Sequence, residues 1–117
     1  MSGYQILSST QELEDALQKS WECPVLILKH STMCPISARA FAAYTEFTKD
    51  LEGESLSCYL VQVIEDRTLS RMIADKMKVE HHSPQAILIK DGKPIWVTTH
   101  RGITGESLRE ACQDRSE

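Results

Sequence analysis

The chain has 117 residues, which fits one compact domain with its own core. Hydrophobic residues make up 41% and charged residues 26%, an ordinary globular balance that needs no disulfide staples and no structural metal. The net charge of −4 argues against nucleic-acid binding driven by bulk charge, and no basic tract indicates a membrane-surface role. We therefore expect one domain over 1–117, with a short polar tail from about Gln113 and with neither nucleic acid nor membrane as a partner.

The N-terminus and the cysteines indicate the compartment. Met1 to Tyr4 lacks the basic and apolar regions of a signal peptide, and the apolar run Val25 to Leu28 is far too short to span a bilayer. We expect a cytoplasmic location, where thiols are kept reduced. Neither C-x-x-C nor Cys/His zinc-site spacing occurs, so we expect no disulfide framework and no metal site from Cys23, Cys34, Cys58 and Cys112.

The first half of the chain predicts a helix, a buried strand and a second helix. Ser9 and Glu12 form a capping-box pattern at the start of the first helix. The stretch from Val25 to His30, which opens with the apolar run Val25 to Leu28, predicts the strand. Helical spacing from Pro35 to about Asp50 predicts the second helix, followed by a polar turn over Leu51 to Glu54. The apolar face of the second helix is expected to hold Ile36, Ala40, Tyr44 and Phe47.

The second half completes an alternating pattern. It predicts a strand over Ser57 to Ile64, a helix over Thr68 to Lys78, a strand over Gln85 to Lys90, an Asp91-Gly92 hairpin turn, a strand over Pro94 to His100, and a last helix capped by Thr104. Strands joined through helices should run parallel, and the final hairpin should be antiparallel. The order α-β-α-β-α-β-β-α therefore predicts an α/β fold with a mixed four-stranded sheet covered by helices, which is the order of a thioredoxin-like domain.

Cys34 is the residue with the clearest chemical role. It stands where the buried strand gives way to the second helix, and Pro35 takes the first helical position, where its missing N–H costs nothing. The sulfur would lie at the positive end of the helix dipole, which favours the nucleophilic thiolate. The alternative is a buried cysteine that packs as a small hydrophobe. The strand–cysteine–proline–helix context favours redox or covalent catalysis.

Ser37 occupies the position at which a dithiol oxidoreductase carries its second cysteine. Residues three apart share one helical face, so its hydroxyl is expected to hydrogen-bond the Cys34 thiolate or the backbone near it, but it cannot resolve a mixed disulfide. A single exchange remains, in which Cys34 takes over one partner of a substrate disulfide and a second thiol releases it. This chemistry fits removal of a low-molecular-weight thiol from protein cysteines. The remaining cysteines are interpreted as core or incidental residues.

Pro84 is the second candidate site residue. In thioredoxin-like folds a cis proline at this location packs near the nucleophile, although cis bonds are only about 5–6% of X–Pro bonds in folded proteins. A cis turn would present the backbone N–H and C=O of Ser83 for pairing with an extended substrate. The alternative is an ordinary trans proline in a turn.

The histidines and one charged pair are weaker candidates. His81 and His82 are adjacent, cannot form an i, i+4 ligand pair, and are interpreted as solvated loop residues. His30 and His100 could lie near the sulfur, where a cation would stabilise the thiolate, but a structural role is more common for a lone histidine. Asp66-Arg67 is interpreted as a helix cap and salt bridge at least as readily as a ligand site.

Several motifs in order resemble the monothiol bacilliredoxins, thioredoxin-like proteins of the bacillithiol system. The resemblance covers roughly Ile6 to Ala111 and rests on Lys29-His30-Ser31-Thr32, Cys34-Pro35-Ile36-Ser37, Glu65 to Ser70, His82-Ser83-Pro84-Gln85 and His100-x-x-Ile103-Thr104. Met33 departs from the pattern, because the family usually has a small polar residue before the cysteine. Its side chain could narrow or desolvate the thiol site.

The resemblance implies a thioredoxin fold, a single nucleophile at Cys34 and a cis proline at Pro84. It also implies reduction of bacillithiol mixed disulfides, with thiol-capped proteins and the small thiol as partners and with no bound cofactor. Bacillithiol is anionic through its malate, and the basic candidates near the site are Lys29, Arg67, His100 and Arg101. The candidate substrate-binding residues are Thr32, Met33, Pro35, Ser83, His100 and Arg101.

Two other functions stay open at this point. The absent second cysteine is compatible with a non-enzymatic thioredoxin-like binding or stress-adaptor module that uses the Ser83-Pro84 groove. The other is a cluster-carrying dimer similar to the monothiol glutaredoxins. That family has Gly-Phe where this chain has Pro35-Ile36, and the proline would hinder the close approach that such a site needs.

Overall fold

The computed structural model of the protein describes residues 3–49 and 56–115. Its elements, in chain order, are β1 (Gln5–Ile6), α1 (Thr10–Lys19), β2 (Val25–His30), α2 (Pro35–Lys49), β3 (Ser57–Gln62), α3 (Arg67–Met77), β4 (Gln85–Lys90), β5 (Lys93–Thr99), a 3-10 helix (His100–Gly102) and α4 (Gly105–Arg115). The predicted turn over Leu51 to Glu54 lies outside the described residues, as does Asp50.

One mixed sheet runs through the molecule, with strand order β1-β3-β2-β4-β5. Strand β2 pairs parallel with β3 and antiparallel with β4, and β5 pairs antiparallel with β4, as the sequence pattern predicted. The predicted count of four strands is corrected to five within the described residues, because β1 adds a parallel strand at the β3 edge. Both residues of β1 are exposed, so the sequence carries no alternating pattern that would have predicted it.

The two faces of β2 are buried under different helices because side chains alternate along a strand. Leu26 and Leu28 pack with residues of α2 and α4, and Val25 and Ile27 pack with residues of α1 and α3. All six residues of β2 are buried, which explains why its first four residues form an unbroken apolar run and do not alternate between apolar and polar. The strand therefore carries its last two residues, Lys29 and His30, into the interior on opposite faces of the sheet.

Several local signals are confirmed, and a few boundaries shift. The Ser9 hydroxyl accepts a hydrogen bond from the Glu12 N–H (3.1 Å), and the Thr104 hydroxyl accepts one from the Ser107 N–H (3.0 Å). Asp91 and Gly92 have φ of 53° and 75°, the positive values that a two-residue hairpin turn needs. The predicted strand over Pro94 to His100 is corrected, because β5 ends at Thr99 and His100 begins the 3-10 helix.

Candidate active site

Cys34 stands directly before α2 and is partly exposed, so its thiol is within reach of a substrate. Its carbonyl accepts the hydrogen bond of the Ala38 N–H (3.0 Å), which is the first i, i+4 bond of the helix. Met33 is 79% exposed, and the neighbouring Thr32 and Pro35 are exposed as well. The Met33 side chain therefore projects into solvent, and the expectation that it could narrow or desolvate the thiol site is not supported.

Ser37 is fully buried on the inner face of the first turn of α2. Its hydroxyl accepts a hydrogen bond from the Ser31 N–H (2.8 Å) and lies 2.9 Å from Nδ1 of His30. The sequence left two partners open for this hydroxyl, the Cys34 thiolate and the backbone near it. The contact in the structure is with the backbone, at the Ser31 N–H. Because both contacts reach the end of β2, Ser37 fastens the first turn of α2 to that strand and fixes the loop between them.

His30 is a buried partner of Ser37 rather than a cation beside the sulfur. Its side chain is 6% exposed, and its ring stacks on Phe41 with the ring centroids 4.5 Å apart. Burial lowers the pKa of His30 below its ordinary value, although the Ser37 contact and the Glu65 carboxylate oppose part of that shift. The ring is therefore neutral at neutral pH. The expectation that His30 could supply a positive charge to the thiolate is corrected.

The loop before β4 reaches the same end of the sheet as Cys34. The peptide bond between Ser83 and Pro84 is cis, and the Pro84 carbonyl accepts a hydrogen bond from the His100 N–H (3.0 Å). Gln85 pairs with Lys29 in the antiparallel register between β4 and β2. The Ser83 hydroxyl is buried and has no hydrogen-bond partner among the described residues. The topology thus brings the Pro84 loop and the end of β2 together.

Lys29 supports this loop from the face of the sheet opposite to Ser37. Its side chain has no exposed surface, and its Nζ lies 3.1 Å from Nδ1 of His81. Burial lowers the pKa of Lys29 to about 8, and burial together with the Lys29 charge lowers the pKa of His81. Lys29 is therefore no surface candidate for anion binding. A lysine on the same strand face as Val25 and Ile27 was the sequence signal for a buried ammonium group.

His81, His82 and the Asp66-Arg67 pair lie at the surface or are only partly buried. His82 lies 3.6 Å from the Glu80 carboxylate, and its side chain is 42% exposed. His81 is exposed too, but its contact with Lys29 makes it more than a solvated loop residue. Asp66 precedes α3 without a side-chain capping bond, and no salt bridge joins it to Arg67 within the described chain.

A groove opens between the start of α2 and the 3-10 helix. Its volume is about 590 Å³, and its lining includes Pro35, Ile36, Arg39, His100 and Arg101. Ile36 was expected on the apolar core face of α2, but it is only partly buried and belongs to this groove. Arg39 was not singled out by the sequence, since a lone arginine on an exposed helix face carries no motif.

Comparisons with known proteins place the chain in a family and agree with its fold. The family model described as monothiol bacilliredoxin BrxC matches residues 5–108, which is most of the chain. The chain belongs to the monothiol bacilliredoxin family. A solved structure described as a candidate oxidoreductase with a thioredoxin fold is 34% identical, has a TM-score of 0.81, and is matched over 92% of each chain.

Two thioredoxins share the fold of this bacilliredoxin at low sequence identity. The thioredoxin of Malassezia sympodialis is 18% identical, with a TM-score of 0.78 and with 100% of this chain and 94% of that chain covered. The thioredoxin of Nicotiana alata is 14% identical, with a TM-score of 0.77 and with 99% and 95% covered. The fold is thus the thioredoxin fold, and the family supports a thiol-redox role.

The other three cysteines of this bacilliredoxin lie away from Cys34. Cys23 precedes β2 and Cys58 lies opposite Leu26, so both are near the far end of a six-residue strand that is about 20 Å long. Cys58 and Cys112 are buried, and burial raises the pKa of Cys112 to about 12. The interpretation of these cysteines as core or incidental residues agrees with their positions.

The described residues form neither a metal-binding cluster nor a membrane-spanning helix. Within 3–49 and 56–115, no group of three or more His, Cys, Asp or Glu is placed to hold a metal ion. Among the helices with described positions, none has the length and apolar character to cross a bilayer.

Proposed function

We propose that this protein is a monothiol disulfide reductase that removes a low-molecular-weight thiol, bacillithiol, from mixed disulfides on proteins. The observation that carries the proposal is the pairing of a reachable Cys34 at the start of α2 with a buried Ser37 in place of a second cysteine. Thiol–disulfide exchange proceeds through the thiolate form of a cysteine, and a hydroxyl cannot displace a bound sulfur. Cys34 can therefore carry out one thiol–disulfide exchange, but Ser37 cannot carry out the second exchange that would release the bound partner.

In the first step the Cys34 thiolate attacks the bacillithiol sulfur of the mixed disulfide. A disulfide forms between Cys34 and bacillithiol, the bond to the substrate protein breaks, and the protein leaves as a thiolate that takes a proton from water. In the second step the thiolate of a free bacillithiol attacks the bacillithiol sulfur held on Cys34. This releases bacillithiol disulfide and returns the Cys34 thiolate, so atoms and electrons balance without a bound cofactor.

The protein substrate would approach along the Pro84 loop. We assign Ser83 and Pro84 to pairing with an extended substrate segment, and the exposed Thr32, Met33 and Pro35 to contact with the substrate around the sulfur. The place of this loop at the Cys34 end of the sheet supports the assignment, since Gln85 pairs with Lys29 near the end of β2. We place the reaction in the cytoplasm, where a reduced thiol pool supplies the second thiol.

The experiment that tests this function measures release of bacillithiol from a capped model protein. The wild type and the Cys23→Ser variant should release the cap at equal rates, because Cys23 lies at the far end of β2. The Cys34→Ser variant should release none. Equal rates for Cys34→Ser and the wild type, or no release by either, would favour the non-enzymatic binding module.

A further inference from the structure

The groove beside the start of α2 holds two cations that the exchange reaction leaves unused. Arg39 and Arg101 both line it, as does His100. Neither arginine forms an ion pair with any carboxylate in the described part of the chain. The protein as a whole has a net charge of −4, so this grouping is opposite in sign to the average surface.

The groove is lined by the two residues after Cys34, although not by Cys34 itself, and its position and volume suit one small molecule attached at that sulfur. Pro35 and Ile36, the two residues that follow Cys34, form one wall, and the volume of about 590 Å³ lies in the range of small-ligand sites, about 300–1,000 Å³. Gly105 also lines the groove, and a Cβ there would lie 3.4 Å from Nη1 of Arg109, which places a third guanidinium near this wall. Glu106 follows Gly105 but does not line the groove.

We propose that this groove binds the small-thiol half of the mixed disulfide on Cys34, and that Arg39 and Arg101 hold its carboxylates. The inference rests on the proposed function and adds the residues that would hold the carboxylates of bacillithiol, among them Arg39, which no sequence motif indicated. Guanidinium groups hold carboxylates through paired, charge-assisted hydrogen bonds. The groove thereby orients the sulfur bound to Cys34 and favours attack on the small-thiol side of the substrate disulfide.

The test compares two disulfides that differ in charge, bacillithiol disulfide and the neutral disulfide of 2-mercaptoethanol. For each, the rate of mixed-disulfide formation on Cys34 is followed by intact mass. The double variant Arg39→Gln/Arg101→Gln should slow the reaction with bacillithiol disulfide about tenfold or more and leave the neutral reaction within about twofold of the wild type. Added salt should slow the wild type with the anionic disulfide and should affect the double variant less.

Lys76→Gln is the matched control, because it removes one exposed positive charge from α3 on the other face of the sheet. It should leave both rates unchanged. If the double variant slows both disulfides equally, or neither, the carboxylate site is wrong, although Cys34 chemistry stands. If the wild type itself forms no adduct with either disulfide, the proposed reductase function is wrong. This result differs from the one that contradicts only the carboxylate site, so the two outcomes can be told apart.

Discussion

Lys29 and His30 are neighbours on β2, and their side chains leave the sheet on opposite faces to support opposite halves of the site. His30 binds Ser37 (2.9 Å) and stacks on Phe41, and its ring is neutral because burial lowers its pKa. Lys29 binds His81 (3.1 Å), is equally buried, and is charged at neutral pH, since its pKa is about 8. The His30 half is held by a neutral hydrogen-bonded contact. The Lys29 half is held by a buried charge that has no carboxylate partner in the described part of the chain.

The His30–Ser37 contact and the buried Lys29 therefore affect the stability of the native state in opposite directions. A buried hydroxyl with both partners in place stabilises the fold, whereas a buried ammonium that meets only an imidazole loses hydration that this contact does not replace. We therefore expect the Ser37 side to behave as part of the core and the Lys29 side to lower the stability of the native state.

The largest effect is expected for Ser37→Ala, which leaves the Ser31 N–H and the His30 ring without their partner. The free energy of unfolding should fall by about 2–3 kcal/mol, measured by chemical denaturation. Ser70→Ala is the matched control, because Ser70 is also buried but its hydroxyl has no hydrogen-bond partner among the described residues, so its loss should be neutral or slightly stabilising. Equal losses for both variants would contradict the role given to Ser37.

The next effect has the opposite sign. Replacing Lys29 with methionine removes the buried charge and keeps most of the side-chain volume, so unfolding should become harder by about 1–2 kcal/mol at pH 7. Between pH 8 and about 10.4 the folded protein gives up the Lys29 proton while the unfolded chain keeps it, so wild-type stability rises with pH. The advantage of Lys29→Met should therefore shrink from pH 7 to pH 10. A constant difference would contradict the buried charge.

A smaller effect is expected in acid. Burial lowers the pKa of His30 and of His81, so the unfolded chain binds protons first as the pH falls below about 6.5, and the folded state loses stability. Unfolding of the wild type between pH 7 and pH 5 should show this loss. His30→Gln should remove the larger part of it, and His81→Asn the smaller, because His81 is the more exposed ring. A larger effect for His81→Asn than for His30→Gln would contradict the view that His30 is the more deeply buried ring.

The smallest effect is expected for Met33→Ser. The Met33 side chain is 79% exposed and supports neither half of the site, so its loss should change the free energy of unfolding by less than about 0.5 kcal/mol. Thermal unfolding of the variant beside the wild type checks this. A clear loss of stability would mean that Met33 packs against the site after all.

Much of the fold follows from local patterns in the sequence. Three local features depend only on neighbouring residues in the chain, and the structure confirms each prediction. They are the apolar run that opens β2, the capping residues Ser9 and Thr104, and the Asp91-Gly92 turn. Strand β1 was missed because its two exposed residues become a strand only by pairing with β3. The count of strands thus depended on a contact between distant segments.

The site was predictable where the chain itself sets the geometry. Cys34 at a strand–helix junction is a local fact, and Ser37 three residues later is another. The partners of Ser37 and Lys29 depend on how side chains meet across elements, so the His30 and His81 contacts could not be deduced. Arg39 and Arg101 are 62 positions apart, and only the packed fold brings them to one groove.

The most direct test of the account is to trap the intermediate and locate the small thiol by peptide mass. The wild type, mixed briefly with a bacillithiol-capped protein and then blocked with an alkylating agent, should carry one bacillithiol on the peptide that contains Cys34 and none on that with Cys23. The same adduct should form in Ser37→Ala. Bacillithiol found on another cysteine, or the substrate protein itself held on Cys34 with no small-thiol adduct, would contradict the proposed direction of attack.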